Sequence, residues 1–292
     1  MAVKPRLAVL AQAAYELFAY RSLPMTVTRV AIAGLGAIGR ALARRLAAGV
    51  PGLTLVGAAA RDRAKAQAWL DEQKIACPLV ELDAFPQHAD LAVECAPAAI
   101  IEDICRPMLQ AGKRVMVLSC GALLPRPQLI ELAQQHGGQI IVPTGALLGL
   151  DAVAAAAEST IHSVRMITRK PPKGLAGAPY LVKNGISVDG LNAAKCVFAG
   201  TARDAAAGFP ENVNVVAALS LAGIGPDRTT IEIWADPAVS RNCHNIEVDA
   251  DSARFSLAIE NIPSENPKTG RITALSVIAA LRKLNAPLRV GT

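Results

Sequence analysis

Gly34, Gly36 and Gly39 stand in G-x-G-x-x-G spacing between a short apolar run, Val30 to Ala33, and a stretch of helical character, Ala41 to Ala48. In a strand–turn–helix unit these three positions have distinct physical uses. The first glycine permits the tight turn, the second lets backbone approach a pyrophosphate, and the third lets the helix pack closely on the strand. Unpaired N–H groups and the dipole at the helix N-terminus then attract the phosphates. The spacing predicts a dinucleotide cradle formed by Gly34, Gly36, Ala37, Ile38 and Gly39. The end of the following strand bears on which dinucleotide. An acid there binds the ribose 2′-hydroxyl of NAD, whereas an arginine accommodates the 2′-phosphate of NADP. The chain reads Ala58-Ala59-Ala60-Arg61-Asp62-Arg63, with Arg61 where the acid is expected and Asp62 placed to cap the next helix. NAD and NADP both stay open, as does the plainer reading in which Arg61 and Arg63 are solvated surface charges.

Candidates for proton transfer are few. Of four histidines, His244 lies in Arg241-Asn242-Cys243-His244-Asn245, among polar residues that apolar packing does not request. An imidazole near its ordinary pKa of about 6.5 suits taking and returning a proton at working pH. The alternative for a lone histidine is a structural ring satisfied by backbone. His136 precedes two glycines at a helix end, and His88 and His162 read as surface residues. The six cysteines form no C-x-x-C pair and no His/Cys cluster of metal-ligand spacing, so no metal site is expected. Most lie in apolar segments, as buried reduced thiols of a cytosolic protein do. Cys120, just after a strand in Leu118-Ser119-Cys120-Gly121, is a candidate nucleophile for an aldehyde-oxidising dehydrogenase, although no base can be assigned to it. Cys243 and His244 are strand neighbours that point to opposite faces, so they do not make a catalytic pair.

The 292 residues suffice for one large or two ordinary domains. The chain is 52% hydrophobic with a mean hydropathy of +0.33, yet no apolar run reaches the roughly 18 residues of a membrane span. Its net charge of +6 is scattered, and aromatics are only 3%, which argues against a nucleic-acid surface and for small anionic ligands. Lys4 and Arg6 before the short apolar stretch Leu7 to Ala14 have the outline of a signal peptide, but the stretch is near the lower length limit. Leu7, Leu10, Ala14, Leu17 and Phe18 equally fit one helix face. Residues 1–24 are read as a dispensable extension, with Met25 as an alternative start and the cytoplasm as the location.

The elements that must position these groups follow from periodicity. Strands are expected over Leu53–Ala60, Leu91–Cys95, Arg114–Leu118 and Gln139–Val142, and helices over Asp62–Gln73, Ile100–Leu109 and Pro127–His136. This alternation specifies an α/β, Rossmann-type doubly wound parallel sheet. From about Gly145 the strands Ser163–Thr168, Thr229–Trp234, His244–Val248 and Phe255–Ile259 carry alternating polar residues. They predict a smaller α+β catalytic domain with a mainly antiparallel sheet, helix-covered on one face. The division is residues 25–145 for the dinucleotide and 146–267 for the second domain, with the helix in 268–292 returning to the first domain.

Four polar segments, Thr168 to Pro172, Phe209 to Asn214, Arg241 to Asn245 and Asn266 to Gly270, together with Gly145-Ala146, resemble in order the motifs of the L-aspartate dehydrogenase family. The resemblance runs from Met25 to the C-terminus. It implies NAD(P)-dependent, reversible oxidative deamination of L-aspartate to iminoaspartate, which hydrolyses to oxaloacetate and ammonia, in a homodimer. It implies that His244 is the catalytic histidine and that Ala146 and Asn214 contact the nicotinamide cofactor. A role in supplying iminoaspartate to pyridine nucleotide biosynthesis goes with it. Two substrate carboxylates need cationic or N–H partners, for which Lys170, Asn242, Lys268 and Thr269 are the candidates, with Arg241 also available. Asn214 begins an apolar helix, Val215–Leu221, and either caps it or presents its amide to the cofactor. Gly270 departs from the serine expected there. The rival readings are an NAD(P)-binding sensor without catalysis and a dehydrogenase for a related carboxylate or semialdehyde; a dihydrodipicolinate-type reductase lacks its His-His-rich motif here.

Overall fold

The computed structural model describes residues 27–210, 213–264 and 270–291. The expected extension over residues 1–24, like Lys268 and Thr269, lies outside the described residues. The first sheet contains β1 (Thr28–Ala33), β2 (Leu53–Ala59), β3 (Leu91–Glu94), β4 (Arg114–Val117) and β5 (Gln139–Ile141). All pairs are parallel, in the order β2-β1-β3-β4-β5. Val30, Ile32 and Val93 pack into one apolar layer and Ala31, Ala33 and Val117 into the layer on the opposite face. That two-sided burial is why these strands read as continuous apolar runs. The helices on those faces are α1 (Ala37–Ala47), α2 (Arg63–Glu72), α3 (Ile101–Gln110) and α4 (Pro127–His136). Asp62 caps α2 by accepting from the Lys65 N–H at 2.9 Å.

The second sheet has the order β10-β9-β6-β8-β7, from β6 (Ile161–Lys170), β7 (Lys195–Thr201), β8 (Thr229–Ala235), β9 (Asn242–Ala250) and β10 (Arg254–Asn261). Its pairs are antiparallel except β6–β8, which is parallel. Two helices, α5 (Leu150–Ala157) and α7 (Asn214–Ala222), cover the face carrying Val164, Met166, Ile231 and Val248. Between β7 and α7 lies α6 (Ala202–Gly208), N-capped by Thr201. β7 was not among the expected strands. Val197 and Phe198 are both buried, with a register shift between Cys196 and Phe198, so this edge strand lacks the period-two signature.

The two sheets are joined by two helices. In α7, Val216 and Leu219 belong to the second sheet's core while Ala217 and Ala218 pack with Cys120 and Leu123 of the first. An apolar helix can bury two of its faces against different layers. The last helix, α8 (Arg271–Asn285), follows the second sheet yet buries Val277 and Leu281 beside Leu42 and Leu46 of α1. Its Asn285 Nδ2 donates to Gly52 O at 2.7 Å and Thr28 Oγ1 at 3.1 Å.

Candidate active site

A cleft of about 750 Å³ lies between the C-terminal ends of the parallel strands and the buried face of the second sheet. The order β2-β1-β3 places a topological switch point beside β1, where open α/β sheets bind ligands. The glycines are shaped for it. Gly34 has φ +103°, and a Cβ there would lie 2.6 Å from the Cys95 carbonyl oxygen. A Cβ at Gly39 would overlap the carbonyl of Gly34. At Gly36, by contrast, a Cβ would meet nothing within 4 Å. Gly36 is the N-cap of α1, no side chain caps that helix, and its first turn has no acid. Open space above uncapped N–H groups fits a pyrophosphate. Ile38 lines the cleft beside it, and Ala37 is exposed at the first turn.

Asn214 sits at the N-terminus of α7, where the sheets meet. The Gly121 N–H donates to its Oδ1 at 3.1 Å, and Val213 rather than Asn214 is the N-cap. The side chain therefore does not cap its own helix; its Oδ1 is tied to the nucleotide side, and its NH₂ group has no partner among the described residues. Ala146 also lines the cleft, and its carbonyl accepts from Asn261 Nδ2 at 3.0 Å. A Cβ at Gly270 would come within 2.9 Å of Asn261 Oδ1, so the glycine found where a serine was expected leaves room for Asn261. The cleft-lining Thr273 keeps a buried hydroxyl with no partner among the described residues. Arg61 is exposed past the end of β2, away from the cleft lining. Asp62 is committed to its cap, and Arg63 pairs with Glu81 at 2.6 Å.

On the opposite wall, β6 and β9 deliver three buried polar side chains. Thr168 pairs directly with His244 in the strand register, and Lys170 is two residues on, on the same face. They are 1%, 2% and 4% exposed, respectively. Thr168 Oγ1 and His244 Nδ1 are 3.1 Å apart. Burial first, and the Lys170 charge second, push the imidazole down to about 3; burial pushes the Lys170 ammonium down to about 8. This is not the ordinary histidine that the sequence led us to expect. Lys170, His244 and Asn242 all line the cleft, whereas Arg241 lies outside its lining, 3.8 Å from Glu260.

Two residues take on meanings that the sequence did not disclose. Glu94, at the end of β3, is 1% exposed and accepts from the N–H groups of Ala96, Leu118 and Ser119 and from the Ser119 hydroxyl, at 2.7–3.1 Å. It ties the ends of β3 and β4 into the cleft floor. An acid closing the apolar strand Leu91-Ala92-Val93-Glu94 was the available signal. Cys120 also lines the cleft, but its thiol donates to Asn214 O at 2.9 Å and burial pushes it up to about 12. Such a thiol is not a nucleophile at neutral pH, which removes the basis for the semialdehyde rival.

A glycine-cradled switch-point cleft closed by a second sheet with buried proton-transfer groups defines a two-domain nicotinamide-dependent dehydrogenase. Comparison with known proteins narrows this. Residues 34–143 match the model "Homoserine dehydrogenase, NAD binding domain", and residues 151–284 match "Aspartate dehydrogenase, C-terminal". L-aspartate dehydrogenase 3 of Bordetella bronchiseptica is 57% identical over 264 residues, covering 90% of this chain and 97% of that protein. L-aspartate dehydrogenase of Bradyrhizobium diazoefficiens is 58% identical over 264 residues, covering 90% and 94%. The crystal structure of aspartate dehydrogenase from Thermotoga maritima superposes with a TM-score of 0.69 at 25% identity, over 90% of this chain and 99% of that one. The chain belongs to the L-aspartate dehydrogenase family.

Proposed function

We propose that this protein catalyses the reversible, NAD(P)-dependent oxidative deamination of L-aspartate to iminoaspartate, which hydrolyses to oxaloacetate and ammonia. The observation that carries this reading is the convergence of His244, Lys170, Asn242, Asn214 and Ala146 on one cleft above the glycine cradle. In this reading residues 25–145 bind the dinucleotide and 146–267 the substrate. The nicotinamide cofactor, when bound, supplies the hydride acceptor. Gly34, Gly36, Ala37, Ile38 and Gly39 hold its phosphates, and Ala146 and the Asn214 amide orient its ring. His244 stands at the reacting carbon. Asn242 and the segment carrying Lys268 and Thr269 meet the substrate carboxylates.

Arg61, with Asp62 committed elsewhere, supports use of NADP as well as NAD. The face of the second sheet away from its helices carries half-exposed Ile167 and Trp234 and supports a homodimer formed through that sheet. The reading extends to a cytoplasmic enzyme whose imine product feeds nicotinamide cofactor synthesis. The test is aspartate-dependent cofactor reduction, followed by absorbance with NAD and with NADP. Turnover is expected with wild type, with a loss of at least about 100-fold in His244→Ala. Arg61→Ala should lower kcat/KM with NADP and leave that with NAD near wild type. A wild-type protein inert with aspartate, and with oxaloacetate plus ammonia in reverse, would return weight to a cofactor sensor.

A further inference from the structure

The hydrogen-bond inventory around His244 fixes more than its position. Thr168 is buried, and His244 Nδ1 is its hydroxyl's hydrogen-bond partner among the described residues. If the ring carried its proton on Nδ1, the threonine proton would face no acceptor. A buried donor left in that state carries an uncompensated desolvation cost. With the hydroxyl donating to Nδ1, both groups are satisfied, and the ring proton sits on Nε2, the nitrogen left for a ligand. His244 then offers the cleft a hydrogen-bond donor rather than a lone pair. The group two residues along β6 is a primary amine on the same wall.

Resting on the aspartate reading above, we propose that Thr168 holds His244 as the neutral Nε2–H tautomer, which donates to a substrate carboxylate, and that Lys170 is the residue that exchanges a proton with the substrate nitrogen. Substrate ammonium gives one proton to neutral Lys170 Nζ, which becomes an ammonium. The freed nitrogen lone pair forms the C=N bond as the electron pair of the Cα–H bond leaves as hydride for the cofactor. Amination in reverse returns the proton from Lys170. The electrostatics agree: an imidazole pushed to about 3 stays neutral throughout the working range, while an amine near 8 gains and loses a proton within it. Among the described residues, the titratable groups that share the cleft lining with Lys170 are His244 from β9, and Glu94, Cys95 and Cys120 from the nucleotide side. Asp236, which follows β8 next to Lys170, pairs instead with Arg169 at 3.1 Å. The neutral imidazole spares Lys170 a second adjacent positive charge.

Lys170→Arg separates this role from that of a carboxylate clamp, because a guanidinium keeps the charge but cannot lose a proton. We expect kcat to fall at least about 100-fold with KM for aspartate changed only a few-fold, and Lys170→Ala to regain activity with added methylamine. In parallel, ¹⁵N NMR of imidazole-labelled protein without substrate should show His244 protonated on Nε2 at neutral pH. Thr168→Val should weaken that preference and Thr168→Ser retain it. Lys170→Arg with near wild-type kcat, or an Nδ1–H or doubly protonated His244, overturns the inference while leaving the aspartate reading intact. A wild-type enzyme inert with aspartate overturns both.

Discussion

His244 owes its chemistry to its depth rather than to its neighbours along the chain. Its value of about 3 in the folded protein lies below the ordinary histidine range. Between roughly pH 6.5 and that value the unfolded chain binds a proton that the folded one does not, so stability falls as pH falls through that window. The steepest slope such a group can give is about 1.4 kcal/mol per pH unit. Thermal unfolding of wild type between about pH 6.5 and 4.5 should therefore lose stability more steeply than that of His244→Asn; parallel slopes would mean that the buried imidazole takes up its proton without unfolding. At this scale the sequence was informative about identity and silent about state. The polar run Arg241 to Asn245 marked His244, but its burial arises from the inner face that β9 forms with β6, and its tautomer from Thr168, 76 residues away. Asp62 was legible as a cap because capping is local, one residue answering an N–H three positions on. Glu94 was not, since its partners Leu118 and Ser119 come from the neighbouring strand's end.

The strand–turn–helix unit β1–α1 shows how one element divides stability from binding. Gly39 is needed by the fold: a side chain there runs into the Gly34 carbonyl. Gly36 is needed by the ligand: its surroundings are open, and its φ of −77° suits any residue. Gly36→Ser should supply a good N-cap, leaving thermal stability unchanged or slightly raised, while weakening cofactor binding at least about tenfold by competing for the same N–H groups. Gly39→Ala should lose both stability and binding. Calorimetric titration with NAD and NADP beside melting curves reads both quantities, and equal affinity for Gly36→Ser and wild type would remove the phosphates from this helix end. The same contrast explains which elements were readable. The inner strands β1, β3 and β4 were visible from their apolar runs because burial on both faces writes itself into composition. The edge strand β7 and the alanine-rich α5 were not, one because of its bulge and the other because Leu150 to Ala157 has little polar contrast to mark a face.

Across the whole molecule, the chain order and the packing order differ, and α8 is where they cross. It starts at the cleft, where Gly270 and Thr273 belong to the lining, and ends against β1 and α1. Side chains that follow the second sheet in sequence thus complete the first sheet's core. If α8 couples the two, a cavity made in its buried stripe must be felt by both. Leu281 is 1% exposed, and Leu281→Ala should cost about 2–5 kcal/mol. In a chain of this size each kcal/mol lowers Tm by roughly 2–4 °C. We expect a single calorimetric transition in wild type and in the variant, moved down as a unit, together with a raised KM for aspartate, because Gly270 and Thr273 at the start of α8 line the cleft. Two separated transitions in Leu281→Ala, with only the earlier one responding to cofactor, would show instead that the sheets melt independently and that α8 merely rests on the nucleotide half.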